Sequence, residues 1–451
     1  MKTFIQTLLP FLLVTQICLA QWYQQNCETT KNLTAVTFID DNSGFAVGDS
    51  GVILHTTNAG AIWEQQIRGT IPLNDVFFNN ANKGWIIGSS WWPSFVNILL
   101  QTTDGGSNWI EQILDTSLSL NSIYFINENI GWIAGAIYSD SGFNDNTFPI
   151  ILKTTNGGSD WQLKSVTTSF PYGYSLNEVF FIDANIGFAV GGGGHIGGSY
   201  GSIFKTTNGG ENWVEQIALS SNYKSIAFID EQRGIAVGQH GMLGGVPKIV
   251  RTTDGGINWV NAFYQQECCG VFNSVAIVNS NYAWAVGWEY SLGSTIFFIS
   301  DNAVNWTSQI DSGLYLNSLN SVFFINSTTG WVVGDNGIIL HTTNGGATFV
   351  EEEQTGEMPI EFLLCQNWPN PFNPSTKIKY SVPKSSNVVI KVFDILGNEI
   401  ETLVNEEKPA GTYEIEFNSH SGEVRNLPSG IYFYQIQAGS FVKTKKMLLL
   451  K

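Results

Sequence analysis

Two carboxylates stand at a repeat position where most sibling copies carry serine: Asp75 in "LNDVFF" and Glu178 in "LNEVFF". Two carboxyl groups facing each other across a cleft are what hydrolysis of a glycosidic bond needs, one as acid and the other as nucleophile or base. A second set is aromatic. Trp91, Trp92, Phe95, Tyr138, Phe143, Tyr172, Tyr174, Tyr200, Trp288 and Tyr290 lie in irregular text rich in Asn and Asp. Rings beside amides and carboxylates suit stacking plus directional hydrogen bonds, the chemistry of sugar or peptide recognition. His195 sits in "GGGGHIGG" and joins these ligand-binding candidates. Its glycines invite a phosphate-cradling loop, but the Lys-Ser/Thr that must follow is missing and no helix opens there.

Other chemistries are excluded by what is absent. Arg68, Arg233 and Arg251 are the three arginines before residue 360, too few and too scattered to grip a carboxylate as a sialidase does. The first 360 residues hold 11 basic and 29 acidic side chains, net −18, while the remainder is net +1. So acidic a front portion repels phosphate backbones, and no nucleic-acid partner is expected. No Cys-x-x-Cys or Cys/His cluster has zinc spacing, so neither a metal nor another cofactor is expected. Cys27, Cys268, Cys269 and Cys365 can pair in three ways, and their spacing does not choose among them.

These side chains must be held by a repeating scaffold. "TTNGGSDW" at Thr154 returns as "TTDGGSNW", "TTNGGENW" and "TTDGGINW". Aligning on the aromatic that closes the turn gives Trp63, Trp109, Trp161, Trp213, Trp259, Trp306 and Phe349, at intervals of 43 to 52 residues. A "GFAVG"-like signature precedes each copy. Each unit reads as four short strands rich in β-branched and aromatic residues and bounded by Gly, Asn and Asp. Units of this length stack into a β-propeller, here of seven blades. "WYQQ" at Trp22 resembles fourth-strand text, which leaves eight candidates for seven blades. The reading favoured is that this amino-terminal strand clasps the last blade; the alternative is "TFVEEE" from Thr348.

Five residues before the closing aromatic stands an Asx residue in every copy: Asn58, Asp104, Asn156, Asn208, Asp254, Asp301 and Asn344. Its side chain is expected to accept amides one to three residues onward, and the glycines supply positive φ for a tight hairpin. The pattern resembles the Asp-box of sialidase-type propellers, in which the box lies far from the active site. The whole unit, as in "NSVFFINSTTGWVVGDNGIILHTTNGGATF", is similar to the repeat of the photosystem II assembly factor Ycf48/Hcf136 family. The resemblance implies the propeller fold and a general capacity to bind protein. The Asx residues are therefore read as turn caps.

The chain opens with Lys2, a short apolar run and Leu19-Ala20, a secretory signal over residues 1–20. No stretch is long enough for a transmembrane helix. The propeller is assigned to residues 21–355. Residues 356–451 carry alternating apolar text with frequent turn signals, expected to form a small Ig-like β-sandwich. There "NWPNPFNPST", "DILG" and "LPSGIYFYQI" ahead of "KTKKMLLLK" resemble the type A sorting domain of the type IX secretion system. That resemblance implies the secretion machinery as a partner and a secreted or cell-surface location.

In a propeller the first-to-second and third-to-fourth turns share one face. Both are uniform here, whereas the other two loop classes are long and variable, as in "SSWWPSFVN" and "AIYSDSGFNDNTFP". Loops on a rigid scaffold are where binding resides. The expected function is binding of an extracellular glycan or protein by the long-loop face. The alternative is a glycoside hydrolase using Asp75 and Glu178.

Overall fold

A computed structural model describes residues 22–449 apart from 91–95, 116, 139–146, 170–172, 196–197, 220, 242–244, 265–268, 291–292, 301–302, 304, 310–316, 347–361, 365–366, 368–371, 373, 420–426 and 440. The signal segment, Cys268 and Cys365 thus lie outside the described residues, while Cys27 and Cys269 carry free thiols. The chain divides into two compact units, Met1–Val350 and Glu351–Lys451. Among the described residues there is no α-helix.

The first unit is seven four-stranded antiparallel sheets. Blade 1 runs Leu33–Phe38, Gly44–Gly48, Val52–Thr56 and Glu64–Ile67, in that order, and blades 2 to 6 repeat the plan. First strands touch first strands all the way round, blade 7 to blade 1 included, so the ring is closed and these strands line its axis. Blade 7 takes its fourth strand from the other end of the chain: Tyr23 pairs with His341 and Gln25 with Ile339. The amino-terminal clasp is the closure. Trp22 meets Phe324 edge-on at 5.8 Å, as Trp63 meets Phe38 and Trp213 meets Phe181 at 5.9 Å in their own blades. Trp22 therefore fills the place that spacing alone assigns to Phe349, which lies outside the described residues.

Aromatic layers join the blades. Trp85 stacks on Phe125 at 3.6 Å, and Trp132 on Phe181, Trp284 on Phe324 and Trp331 on Phe38 at 3.5 Å, each ring meeting the next blade's first strand. Phe45–Phe78 and Phe188–Phe228 repeat the contact at 4.5 and 4.0 Å. The seam between blades 5 and 6 has Ile235 and Ile277 at these places and an adjoining cavity. The same ring explains a glycine. A Cβ on Gly131 or Gly330 would lie 2.5 Å from Phe125 or Phe324. Blade 6 tolerates Ala283 because its pairing partner is the slimmer Ile277.

The recurrent turn is a two-residue clamp. Thr102 donates to the Asp104 carboxylate at 2.8 Å and accepts the Gly106 N–H at 2.9 Å, while Asp104 accepts the Asn108 N–H at 2.9 Å. Asn58, Asn156, Asn208 and Asp254 accept in the same way. The amide held is thus four residues onward, further than expected, because the threonine hydroxyl takes the nearer glycine. Asn344 accepts the Gly346 N–H, and residue 348 and Asp301 lie outside the described residues. The turn also ties blades together: the indoles of Trp85, Trp132 and Trp284 donate to Gly157, Gly209 and Gly345 of the next blade's turn.

The second unit pairs a three-stranded sheet (Leu363–Leu364, Ser375–Val382, Gly411–Asn418) with a four-stranded sheet. Alternate residues of both, among them Ile378, Tyr380, Ile390, Tyr434 and Met447, form one buried core.

Candidate functional site

The two faces of the ring are chemically distinct. In blade after blade the first-to-second turn accepts a hydrogen bond from the third-to-fourth turn: Gly105 N–H to Asn82, Gly157 to Asn129, Gly209 to Asn185, Gly255 to Gln232. This standardised face spends its polar groups on itself. The long loops leave from the other end of the strands.

At that other end every first strand carries a one-residue β-bulge: Thr34, Asn74, Asn121, Asn177, Lys224, Asn273 and Asn320. A bulge frees one side chain from the sheet's alternation. Six of the seven spend it on the next blade. Asn74 donates to the Leu120 carbonyl at 2.6 Å, Asn121 to Leu176 at 2.7 Å, Asn177 to Tyr223 at 2.6 Å, Asn273 to Leu319 and Asn320 to Leu33 at 2.9 Å, and Thr34 to Leu73 at 2.6 Å. Lys224 makes no such bond. Repeat alignment alone signals this ring, since five of the seven aligned residues are asparagine.

The residue after each bulge forms a second ring, and Asp75 and Glu178 belong to it. Ser122, Ser225, Ser274 and Ser321 each accept the N–H of the next blade's first strand, from Val179, Val275, Val322 and Val36. Asp75 and Glu178 do the same for Ile123 and Ile226. Asp75 also accepts its neighbour's Val76 N–H at 2.8 Å. Both residues are half-buried, and desolvation pushes their carboxyls up, Asp75 to about 6 and Glu178 to about 8. Backbone and serine donors oppose that rise in each case, and the Asp75 charge adds to it at Glu178. At neutral pH Glu178 is thus an acid that can donate a proton, but its acceptor sites serve the blade seam.

The aromatic candidates divide. Tyr290 is 72% exposed and meets the half-buried Trp288 edge-on at 6.4 Å, and Tyr138 and Tyr200 are half-buried. Tyr174 corrects the expectation: it is fully buried, its ring in the blade 4 core and its hydroxyl accepting the Ser202 N–H at 2.6 Å. A Tyr ring in a tight connection buries readily once its hydroxyl finds a partner. His195 lies in the strand Gly187–His195, paired with Gly198. Trp91, Trp92, Phe95, Phe143 and Tyr172 lie outside the described residues. Among the described residues no cluster of His, Cys, Asp or Glu is arranged to hold a metal ion, and no helix is long and apolar enough to cross a membrane.

Residues 14–118 and 66–171 match the family described as photosynthesis system II assembly factor YCF48, and residues 366–450 match the secretion system C-terminal sorting domain. The photosystem II assembly lipoprotein Ycf48 of Synechococcus sp. (strain CC9902) is 29% identical over 31% of this chain and 39% of its own length. The chain spans about half or less of the curated relatives it matches. A solved structure of YCF48 bound to D1 peptide is 20% identical at TM-score 0.53, covering 72% of this chain and 97% of that one. The GH74 enzyme of Niastella koreensis is 14% identical at TM-score 0.53, covering 80% of this chain and 59% of that one. At these identities the two structures establish shared fold.

Proposed function

Given a chain that joins Ycf48-like propeller repeats to a type IX secretion sorting domain and is thereby exported to the cell surface or beyond, we propose that its propeller binds an extracellular glycan or protein through the long-loop face, without catalysis. The observation that carries this is the division of labour between faces. One face is consumed by turn-to-turn bonds, and the other gathers the irregular loops with Trp288 and Tyr290. We further assign residues 21–355 to the binding propeller, the recurrent turns to the Asp-box class, and residues 1–20 to a signal segment.

A specific observation keeps the hydrolase reading alive. Glu178 has the raised pKa of a general acid, and it is near enough to Asp75 to feel that residue's charge. The GH74 enzyme shares the fold. Against it, both carboxyls are engaged at blade seams, Asp75 accepting the Ile123 N–H and Glu178 the Ile226 N–H of the next blade's first strand.

The test is a screen of the full chain against secreted polysaccharides and surface proteins. Binding weakened at least tenfold by the paired change Trp288→Ala/Tyr290→Ala, with no turnover, is the expected result. Turnover abolished by Glu178→Gln would replace this reading with the hydrolase. Removing residues 361–451 is expected to trap the protein in the periplasm.

A further inference from the structure

Blade 6 departs from its siblings on the outer part of its sheet. In register with the second-strand core residue, the other six blades carry a polar third-strand side chain: His55, Gln101, Lys153, Lys205, Arg251 and His341. Four of these cover the core ring or fasten the next blade. His55 stacks on Phe45 at 4.2 Å and His341 on Trp331 at 4.7 Å, while Gln101 and Lys205 donate to Gly157 and Gly255 of the following turn. Blade 6 has Phe298 there, opposite Trp284. The bond to the next turn passes to Gln309, whose side-chain amide donates to the Gly345 carbonyl at 2.8 Å.

A second ring joins Phe298. Tyr282, at the start of the second strand, is 41% exposed and meets Phe298 at 5.7 Å with the ring planes 53° apart. It also stacks over the buried Trp284 at 6.3 Å. Strand alternation puts Ser300 on the same face as Phe298, and pairing sets the exposed Thr307 beside it. The result is a shallow V of two rings, edged by two hydroxyls, near the short-turn end of the blade. A polar side chain would serve this position as it does in six blades, without leaving aromatic surface in water. Departures from a local rule of this kind mark functional positions.

We propose that Tyr282 and Phe298 form a second binding site, separate from the long-loop face, that stacks one pyranose ring of a neutral glycan. The C–H face of a pyranose is apolar and its hydroxyls point outward, so two tilted rings edged by hydroxyls match both parts. Size and charge choose the ligand. Two rings cover the footprint of one sugar, far short of the roughly 800 Å² per partner of a stable protein interface. A polyuronic glycan would bring a negative charge on every sugar to a propeller carrying 28 acidic and 10 basic residues, whereas a neutral one meets no repulsion.

The experiment titrates the full chain with neutral oligosaccharides of the gluco-, manno-, xylo- and N-acetylglucosamine series, with a peptide library in parallel. The wild type is expected to bind at least one sugar series. Tyr282→Leu, which keeps apolar bulk but loses the flat ring, should weaken that binding at least tenfold, and Tyr282→Phe should keep it. Phe298→Gln, the residue type of blade 2, should weaken it too without lowering the melting temperature. The same losses are expected in the Trp288→Ala/Tyr290→Ala background, where the long-loop rings are gone. Sugar binding that survives Tyr282→Leu in that background, or that vanishes in the background alone, would overturn this site and leave the long-loop function intact. Peptide binding lost in Tyr282→Leu in place of sugar binding would overturn the glycan as ligand. No sugar binding by the wild type would overturn the site outright.

Discussion

Ala35 and Asp75 are complementary across the first seam. Ala35 cannot accept the Val76 N–H as serine does elsewhere in the ring, and Asp75 turns one carboxylate oxygen back onto that orphaned donor. Its other oxygen serves Ile123 in the next blade. One side chain thus does the work of two.

Asp75→Ala should therefore leave two buried N–H groups unmet and destabilise the propeller by about 2–4 kcal/mol, since each unmet donor costs roughly 1–3 kcal/mol. Ala35→Ser combined with Asp75→Ser should recover most of the loss by rebuilding the ring. Denaturant unfolding of the three variants checks this, and equal stability of Asp75→Ala and wild type would remove the bridging role.

Glu178 gives the fold a pH dependence of defined sign. Its folded-state pKa of about 8 lies above that of an unfolded glutamate, so the native chain keeps a proton that the unfolded chain releases. The stability it contributes is full below about pH 4.5 and declines as pH rises toward 8. Asp75, at about 6, adds the same sign over a narrower window. Melting temperatures between pH 5 and 9 should fall less in Glu178→Gln than in wild type. Parallel curves would show that the carboxyl ionises as freely as an exposed one.

Trp22 latches the ring. Trp22→Ala should cost roughly 2–4 kcal/mol, in the range of a large aromatic truncation that is partly buried. It should also speed proteolytic release of the amino-terminal strand. Trp306→Ala, within a single blade, should leave that strand's protection unchanged. Limited proteolysis of the two variants distinguishes a latch from ordinary core packing.

Ile277 and Ala283 form a matched pair. Ile277→Phe alone should destabilise, because in the other blades a Cβ at Ala283's position would sit about 2.5 Å from such a ring. Adding Ala283→Gly should return stability to or above the starting value, so the two changes are strongly non-additive. Additive effects in the double-mutant cycle would show that the two side chains do not compete for the same space.

Repetition made the scaffold legible from sequence. Seven copies of a turn with an invariant Asx and a closing aromatic, five of them with two glycines between, leave few alternatives to stacked four-stranded sheets, and the uniform turns declare which face is structural. The sorting tail was equally legible, because its motifs are dense and its apolar alternation is regular. Those inferences rest on local chemistry, where each residue's role is set by neighbours a few positions away. What the tertiary structure decided is non-local. Trp22 replaces the seventh closing aromatic only because the ring brings residues 22 and 324 together. Asp75 and Glu178 prove to be seam acceptors because the N–H groups they meet lie 48 residues onward. Tyr174 is core, not surface, because Ser202 waits beneath it. Lys224 becomes visible as an exception only once six neighbours are seen to spend the same side chain on closing the circle.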